Sequence, residues 1–396
     1  MTRPLRLVFI GLSLSSSWGN GHATTYRALL RALARRGHDI LFLEQDQPWY
    51  AENRDLPDPD FCRLALYSGL AGLSAYRAEV AEADAVIVGS YVADGVAVCA
   101  WVQSVAAGVT AFYDIDTPVT LAKLERGDFE YLSPDLIPGF DLYLSFTGGP
   151  TLAHLVHRYG AAAAHPLYCS VDADAYRPEP AAPLRYDLGY LGTYSPDRQP
   201  TLETLLLKPA RALPDQRFVV AGSQFPREIR WPSNVTRIEH VPPGDHRGFY
   251  NACRFTLNVT RADMVRAGYS PSVRLFEAAA CGTPIISDRW HGLESIFTPG
   301  AEICLAHDGG EVIEMLTRCP EPLRRGIGEA ARRRVLAEHS SDRRAAGLEE
   351  VLRRRIDELA RQRPVRAAAT RGGQGRSRGP RPHLRVVKQA DVNERG

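Results

Sequence analysis

The chain has 396 residues, 44% hydrophobic and 24% charged, which excludes general disorder and suits two domains rather than one. No apolar run approaches the roughly 18 residues a membrane span needs. Net charge is +2, yet residues 361–396 hold ten Lys/Arg against two Asp/Glu, so the remaining body is mildly acidic and carries no nucleic-acid-binding charge pattern. Seven cysteines (62, 99, 169, 253, 281, 304, 319) show no C-x-x-C spacing. That argues for a reducing, cytoplasmic setting and against a structural zinc site, and it empties the sequons at Asn234 and Asn258 of meaning.

Short apolar runs alternate with helical patterns, the signature of parallel α/β architecture. Arg3 and Arg6 precede an apolar stretch that is too short for a secretion signal and runs into four serines, so residues 7–12 read as a first buried strand. Tyr26, Leu29, Leu30 and Leu33 repeat at helical spacing and predict the first helix, stopped by Gly37. Further strands are expected at 40–43, 85–89, 109–113 and 142–146. Trp49, Tyr50 and Phe61 lie among prolines in an irregular stretch after the second strand, a surface loop or an acceptor contact. Pro150 opens a helix that Gly160 closes.

Residues 172–186 (DADAYRPEPAAPLRY) carry three prolines and no apolar period, which marks a linker. Strands then resume at 187–191, 218–221, 237–241, 255–259 and 284–287, with helices at 200–212, 246–252 and 272–281 between them. From about 309 to 360 the pattern is helical only. Beyond it, Gly, Pro and Arg dominate, a composition that cannot bury enough surface to offset ordering entropy. The tail is therefore expected to be disordered, either as a solvated extension or as a weak contact for anionic surfaces.

Four stretches carry candidate chemistry. Residues 11–22 (GLSLSSSWGNGH) join the first strand to the first helix, and small residues there expose backbone N–H groups to a polar or anionic ligand. Thr24 stands where a dinucleotide fingerprint needs its third glycine, so a Rossmann cofactor is not indicated. His22 opens the helix, where the dipole disfavours its cation; a neutral imidazole there accepts a proton or merely caps the helix. Residues 113–118 (YDIDTP) put Asp114 and Asp116 at a strand's C-terminal end, as loop caps, cleft groups or a metal pair lacking further ligands. Residues 192–198 (GTYSPDR) offer Arg198 as a phosphate clamp or a surface ion pair. Residues 268–288 (GYSPSVRLFEAAACGTPIISD) place Arg274 and Glu277 three apart on one helix face, ahead of a Gly-Thr-Pro turn.

Taken in order, SWGNGHATTYRALLRALARRGHDI, YDIDTP, LYCSVDADAYRP, LGYLGTYSPDR and RLFEAAACGTPIISD resemble the CgeB-like spore maturation glycosyltransferases, over about residues 5–350. The resemblance implies a GT-B architecture: two Rossmann-like parallel-sheet domains facing across a cleft. They would span 1–175 on the acceptor side and 187–360 on the donor side, with a 176–186 linker and a 361–396 tail. It implies a hexosyltransferase-type enzyme that moves a sugar from a nucleotide-diphosphate sugar to an acceptor, with no metal, no cofactor beyond that co-substrate and no specific nucleic acid. By position, Glu277 would hold the donor ribose, with Gly282 and Thr283 shaping the turn beside it. Arg198 and Arg274 would face the donor, and His22 with Gly19 and Gly21 would border the sugar. His22 or Asp114 would be the general base if the reaction inverts. Tyr269 stands where many retaining members have a second glutamate. The alternatives are an epimerase or phosphorylase on the same fold, and a degenerate structural protein.

Overall fold

Strands buried on both faces suit parallel pairing, because helices can then cover each side. In the computed structural model, which describes residues 3–18 and 21–372, the runs Ala85–Gly89 and Val109–Asp114 are buried at every position. Two sheets result. The first contains β1 (Arg6–Gly11), β2 (Asp39–Gln45), β3 (Arg63–Tyr67), β4 (Ala85–Gly89), β5 (Val109–Asp114), β6 (Leu142–Ser145) and β7 (Ala164–Pro166). The second contains β8 (Tyr186–Leu191), β9 (Phe218–Ala221), β10 (Val235–Ile238), β11 (Cys253–Asn258), β12 (Ile285–Ser287) and β13 (Cys304–Leu305). Their orders are β3-β2-β1-β4-β5-β6-β7 and β10-β9-β8-β11-β12-β13, with every pairing parallel. Register is set by the apolar pattern: Leu7 lies opposite both Ile40 and Ala85.

Each sheet grows outward from its middle in both directions. A crevice therefore opens at the C-terminal edge where the order reverses, between β1 and β4 and again between β8 and β11. Helix His22–Arg35 buries Ala23, Tyr26, Leu29, Leu30 and Leu33 against the first sheet. Helix Pro150–Tyr159 ends as expected at Gly160, whose φ of 71° lets its N–H and that of Ala161 cap Val156 and Leu155.

The three strands without a sequence signal, β3, β7 and β13, are all sheet edges and all partly exposed. They lack the continuous apolar run that marks a central strand. Edge strand β10 sits two residues ahead of the expected 237–241, since the chain turns away through Pro242 and Pro243.

The C-terminal helices return across the interface between the two domains. Helix Ser341–Gly372 packs against helix His22–Arg35 and β5 of the first domain. Ala345, Leu348 and Leu352 are buried, and Arg35–Asp342 (2.8 Å), Arg36–Glu349 (2.6 Å) and Arg355–Asp141 (3.0 Å) line the contact. Residues 341–360, expected with the second domain, thus complete the first. The helix also runs past residue 361, where the disordered tail was expected to start. Residues 373–396 and Gly19 lie outside the described residues. No described helix is long and apolar enough to cross a membrane.

Candidate functional site at the two switch points

In the second domain, β8 ends at Leu191 and β11 at Asn258, and helix Val273–Ala280 starts between them. Arg274, on its first turn, donates from Nε to the Leu191 carbonyl (2.8 Å) and from Nη1 to Asn258 Oδ1 and the Val259 carbonyl (both 3.3 Å). It thus bridges the two strand ends. Gly192 is needed for this approach, since a Cβ there would lie 2.7 Å from Arg274 Nη2.

Arg198 lies beside it, 8% exposed, donating to the Thr193 carbonyl at 2.6 Å. Burial, reinforced by the charges of Arg274 and Arg261, pushes its guanidinium down to about 10. Its Nε is buried without a partner among the described residues. No carboxylate of the described residues lies within ion-pair distance of Arg198 or Arg274. The surrounding loop is held rigidly: Asp288 accepts from Thr260 N (2.9 Å) and Oγ1 (2.8 Å), and Asp197 accepts from Ala262 N (2.8 Å). Fixed cations without a direct ion pair, at a strand-end crevice and beside a helix N-terminus, have the chemistry that suits a polyanion.

Across from it, His22 starts its helix at the β1–β4 crevice, and Tyr91 packs edge-on against its ring at 5.3 Å. Desolvation lowers His22 to about 4, so the imidazole is neutral at pH 7. Its Nδ1 has no hydrogen-bond partner among the described residues. The loop leading to it is fastened by buried Glu44, which accepts from Leu14 N (2.6 Å), Ser15 N (2.9 Å), Ser15 Oγ (2.6 Å) and Ser13 Oγ (3.1 Å). Gly21, the N-cap, is exposed with open space around its α-carbon.

Asp114 is placed differently from the expectation of a base. It is fully buried, accepting from Thr120 Oγ1 (2.6 Å) and Tyr143 Oη (2.5 Å), and burial raises it to about 6. Asp116 instead accepts from Tyr91 Oη at 3.4 Å and approaches Arg261 of the second domain at 3.9 Å. The described residues hold no group of three or more His, Cys, Asp or Glu together.

Glu277 also departs from the expected open ribose contact. It is 3% exposed, with its oxygens taken by Tyr176 Oη (3.0 Å) and Tyr250 Oη (2.9 Å) and with His246 Nδ1 at 3.8 Å. Burial alone would raise it; the nearby His246 imidazole, helped by the hydrogen bonds of the two tyrosines, holds it below its ordinary value. It ties the linker to the second domain. Gly282 and Thr283 lie beyond the other end of the same helix, just before β12, and so at the edge of the sheet opposite the crevice. There Thr283 bonds the Tyr250 carbonyl and Gly282, at φ 72°, faces Pro178. The cation site thus contains Arg198 and Arg274 but not the Gly-Thr turn.

Tyr269, at φ 46°, makes a domain contact. Its carbonyl accepts from Gly148 N (2.9 Å), and Thr147 and Ser270 hydroxyls pair at 3.0 Å. Sequence reasoning missed Arg261, Asn258, Asp288 and Tyr91. The rule that singled out Asp114, a polar residue just past an apolar strand, applies equally to each.

Residues 198–350 match a family model described as glycosyl transferase-like. D-inositol 3-phosphate glycosyltransferase of Mycobacterium sp. (strain KMS) is 29% identical over 192 residues, a match spanning 42% of this chain and 42% of that relative. Among solved structures, Anabaena HepE in complex with UDP and glucose superposes with a TM-score of 0.66 at 13% identity, over 88% of this chain and 99% of that one. The catalytic domain of starch synthase IV from Arabidopsis thaliana, bound to ADP and acarbose, gives 0.64 at 12% identity over 90% and 100%. The chain has the GT-B fold of these glycosyltransferase structures, and its residues 198–350 match the glycosyl transferase-like family model.

Proposed function

We propose that this protein is a glycosyltransferase that moves a sugar from a nucleotide-diphosphate sugar to an acceptor. The observation that carries the reading is the pair of guanidinium groups without a direct ion pair among the described residues, buried Arg198 and half-buried Arg274, at the β8–β11 crevice. A departing nucleoside diphosphate develops negative charge, and preorganised cations with the N-terminus of helix Val273–Ala280 stabilise it without reorganising. These groups would do the work a divalent metal does in other transferases, so we propose metal independence. The family and fold matches support the donor class, since HepE carries UDP and starch synthase IV carries ADP.

The sugar would sit between this site and His22. If transfer inverts, the neutral imidazole takes the acceptor hydroxyl's proton as the bond to the sugar forms. If it retains, the leaving diphosphate guides that proton and His22 only orients the sugar. Asp114, with both oxygens engaged in packed protein, does not suit the role of base. An epimerase or phosphorylase is less well supported, because it would want a free second carboxylate in the cleft. The CgeB-like assignment, the hexosyl type and a cytoplasmic setting belong to the same proposal, resting on the motif order of the sequence.

The test is direct. The full chain is titrated calorimetrically with UDP, GDP and ADP, then incubated with a pool of nucleotide sugars while free nucleotide is followed. Binding of one diphosphate in the presence of EDTA, and donor-dependent nucleotide release, are expected. Failure to bind all three diphosphates removes the reading.

A further inference from the structure

The second-domain crevice holds a third guanidinium that neither the sequence motifs nor the Arg198–Arg274 pair uses. Arg261 follows β11 directly and heads the loop whose other members are fixed by Asp288 and Asp197. Arg274 bonds the carbonyl of Val259, two residues earlier. Asp197, the neighbour of Arg198, is bonded to the N–H of Ala262, the neighbour of Arg261. The bases of Arg198 and Arg261 are therefore stapled together on either side of one junction. The side chain of Arg261, 45% exposed, reaches to 3.9 Å from Asp116 of the facing domain while its charge still acts on Arg198.

The two members of this cross-cleft pair are unequal. Asp116 is 17% exposed, occupies the N-cap position of helix Thr117–Glu125 through its backbone and accepts from Tyr91 Oη, so it is the more fixed partner. Arg261 is long and half in solvent, and at 3.9 Å its hold on the carboxylate is loose. A guanidinium matches two phosphate oxygens in a fork and gains more from a diphosphate than from one distant carboxylate.

We propose that Arg261 is a third diphosphate ligand held in reserve by Asp116, so that donor binding in one domain breaks an ion pair with the other. The inference rests on the nucleotide-diphosphate reading above. When the diphosphate arrives, Arg261 swings to it and Asp116 loses the one cationic neighbour it has among the described residues. The carboxylate then keeps only Tyr91, whose ring packs on His22. Donor occupancy is in this way communicated to the acceptor side through a single side chain.

A double-mutant cycle on the full chain tests this, read as the calorimetric Kd for whichever of UDP, GDP or ADP the wild type binds. Arg261→Ala should weaken binding about 10-fold, and Arg261→Lys less. Asp116→Asn, which keeps the size of the side chain and an oxygen that can accept from Tyr91, should tighten binding about 3-fold by releasing the arginine. In the Asp116→Asn/Arg261→Ala double variant that gain should vanish. Arg261→Ala binding like wild type, while Arg198→Ala binds weakly, overturns the proposal and leaves the donor reading intact. A gain that persists in the double variant also overturns it, because the carboxylate would then act by repelling phosphate directly. Loss of diphosphate binding from neither Arg198→Ala nor Arg261→Ala would remove the donor reading and this inference together.

Discussion

The two crevices of this molecule share a topology and differ in electrostatics. Both lie where strand order reverses, both follow an apolar parallel strand, and both border a helix N-terminus. In the second domain Arg198 and Arg274 bond only carbonyls and an amide oxygen among the described residues, so neither is tied up in a direct ion pair. In the first domain the charged groups are spent on structure. Asp114 is buried under two hydroxyls, Glu44 clamps a loop, and His22 is held neutral. A crevice marks where a ligand can bind; which charges remain unpaired there decides what kind. One side suits a polyanion, and the other suits hydroxyl groups and a proton acceptor.

That contrast can be broken in four ways, the largest effect first. For inverting transfer, His22→Ala should cost about 10²–10⁴-fold in kcat while leaving diphosphate affinity unchanged. A loss of affinity alone would move His22 to the donor side. Next, Arg198→Ala should weaken nucleoside diphosphate binding about 10–100-fold by calorimetry, since a hydrogen bond to a charged group is worth roughly 1.5–3 kcal/mol. Equal affinities in variant and wild type would mean that the second crevice is no anion site.

The third prediction uses acidity. Asp114 titrates near 3.8 when unfolded and about 6 when folded, raised by burial. A raised folded value means its contribution is complete below 3.8 and is lost as pH rises through 6. Wild-type stability should therefore fall by roughly 2–3 kcal/mol from this group between about pH 4 and 7. Asp114→Asn should remove that slope in urea denaturation without altering diphosphate affinity. An identical slope in the variant would show that Asp114 does not titrate as a buried carboxyl. The smallest expected effect is none: EDTA should leave donor turnover unchanged. Activity lost to EDTA and restored by magnesium or manganese would mean the arginines do not replace a metal.

The central strands and the first helix were legible because continuous apolar runs and the Tyr26–Leu29–Leu30–Leu33 spacing are local signals. Arg198 was legible as a residue of a strand-to-helix turn, and Arg274 only as a neighbour of Glu277 on one helix face. Edge strands β3, β7 and β13 were not, since half-exposed strands need no apolar run. Nor were the partners of Glu277, because Tyr176 and Tyr250 come from 101 and 27 residues away. A carboxylate's availability depends on such distant hydroxyls, and no motif encodes them. Gly282 and Thr283 stand at the turn that follows the Glu277 helix; they precede a parallel strand, so chain direction places them at the N-terminal edge of the sheet.

The return of helix Ser341–Gly372 to the first domain has a consequence for how this protein is made and re-engineered. Its buried Leu348 and Leu352 complete a layer whose other half is near residue 30. The N-terminal half therefore leaves the ribosome without its last packing partner and waits for nearly the whole chain before that face is covered. The same dependence sets the rule for grafting. A chimera that joins this first domain to another second domain must carry helix Ser341–Gly372 along with β1–β7, because the first domain is not a single continuous cassette.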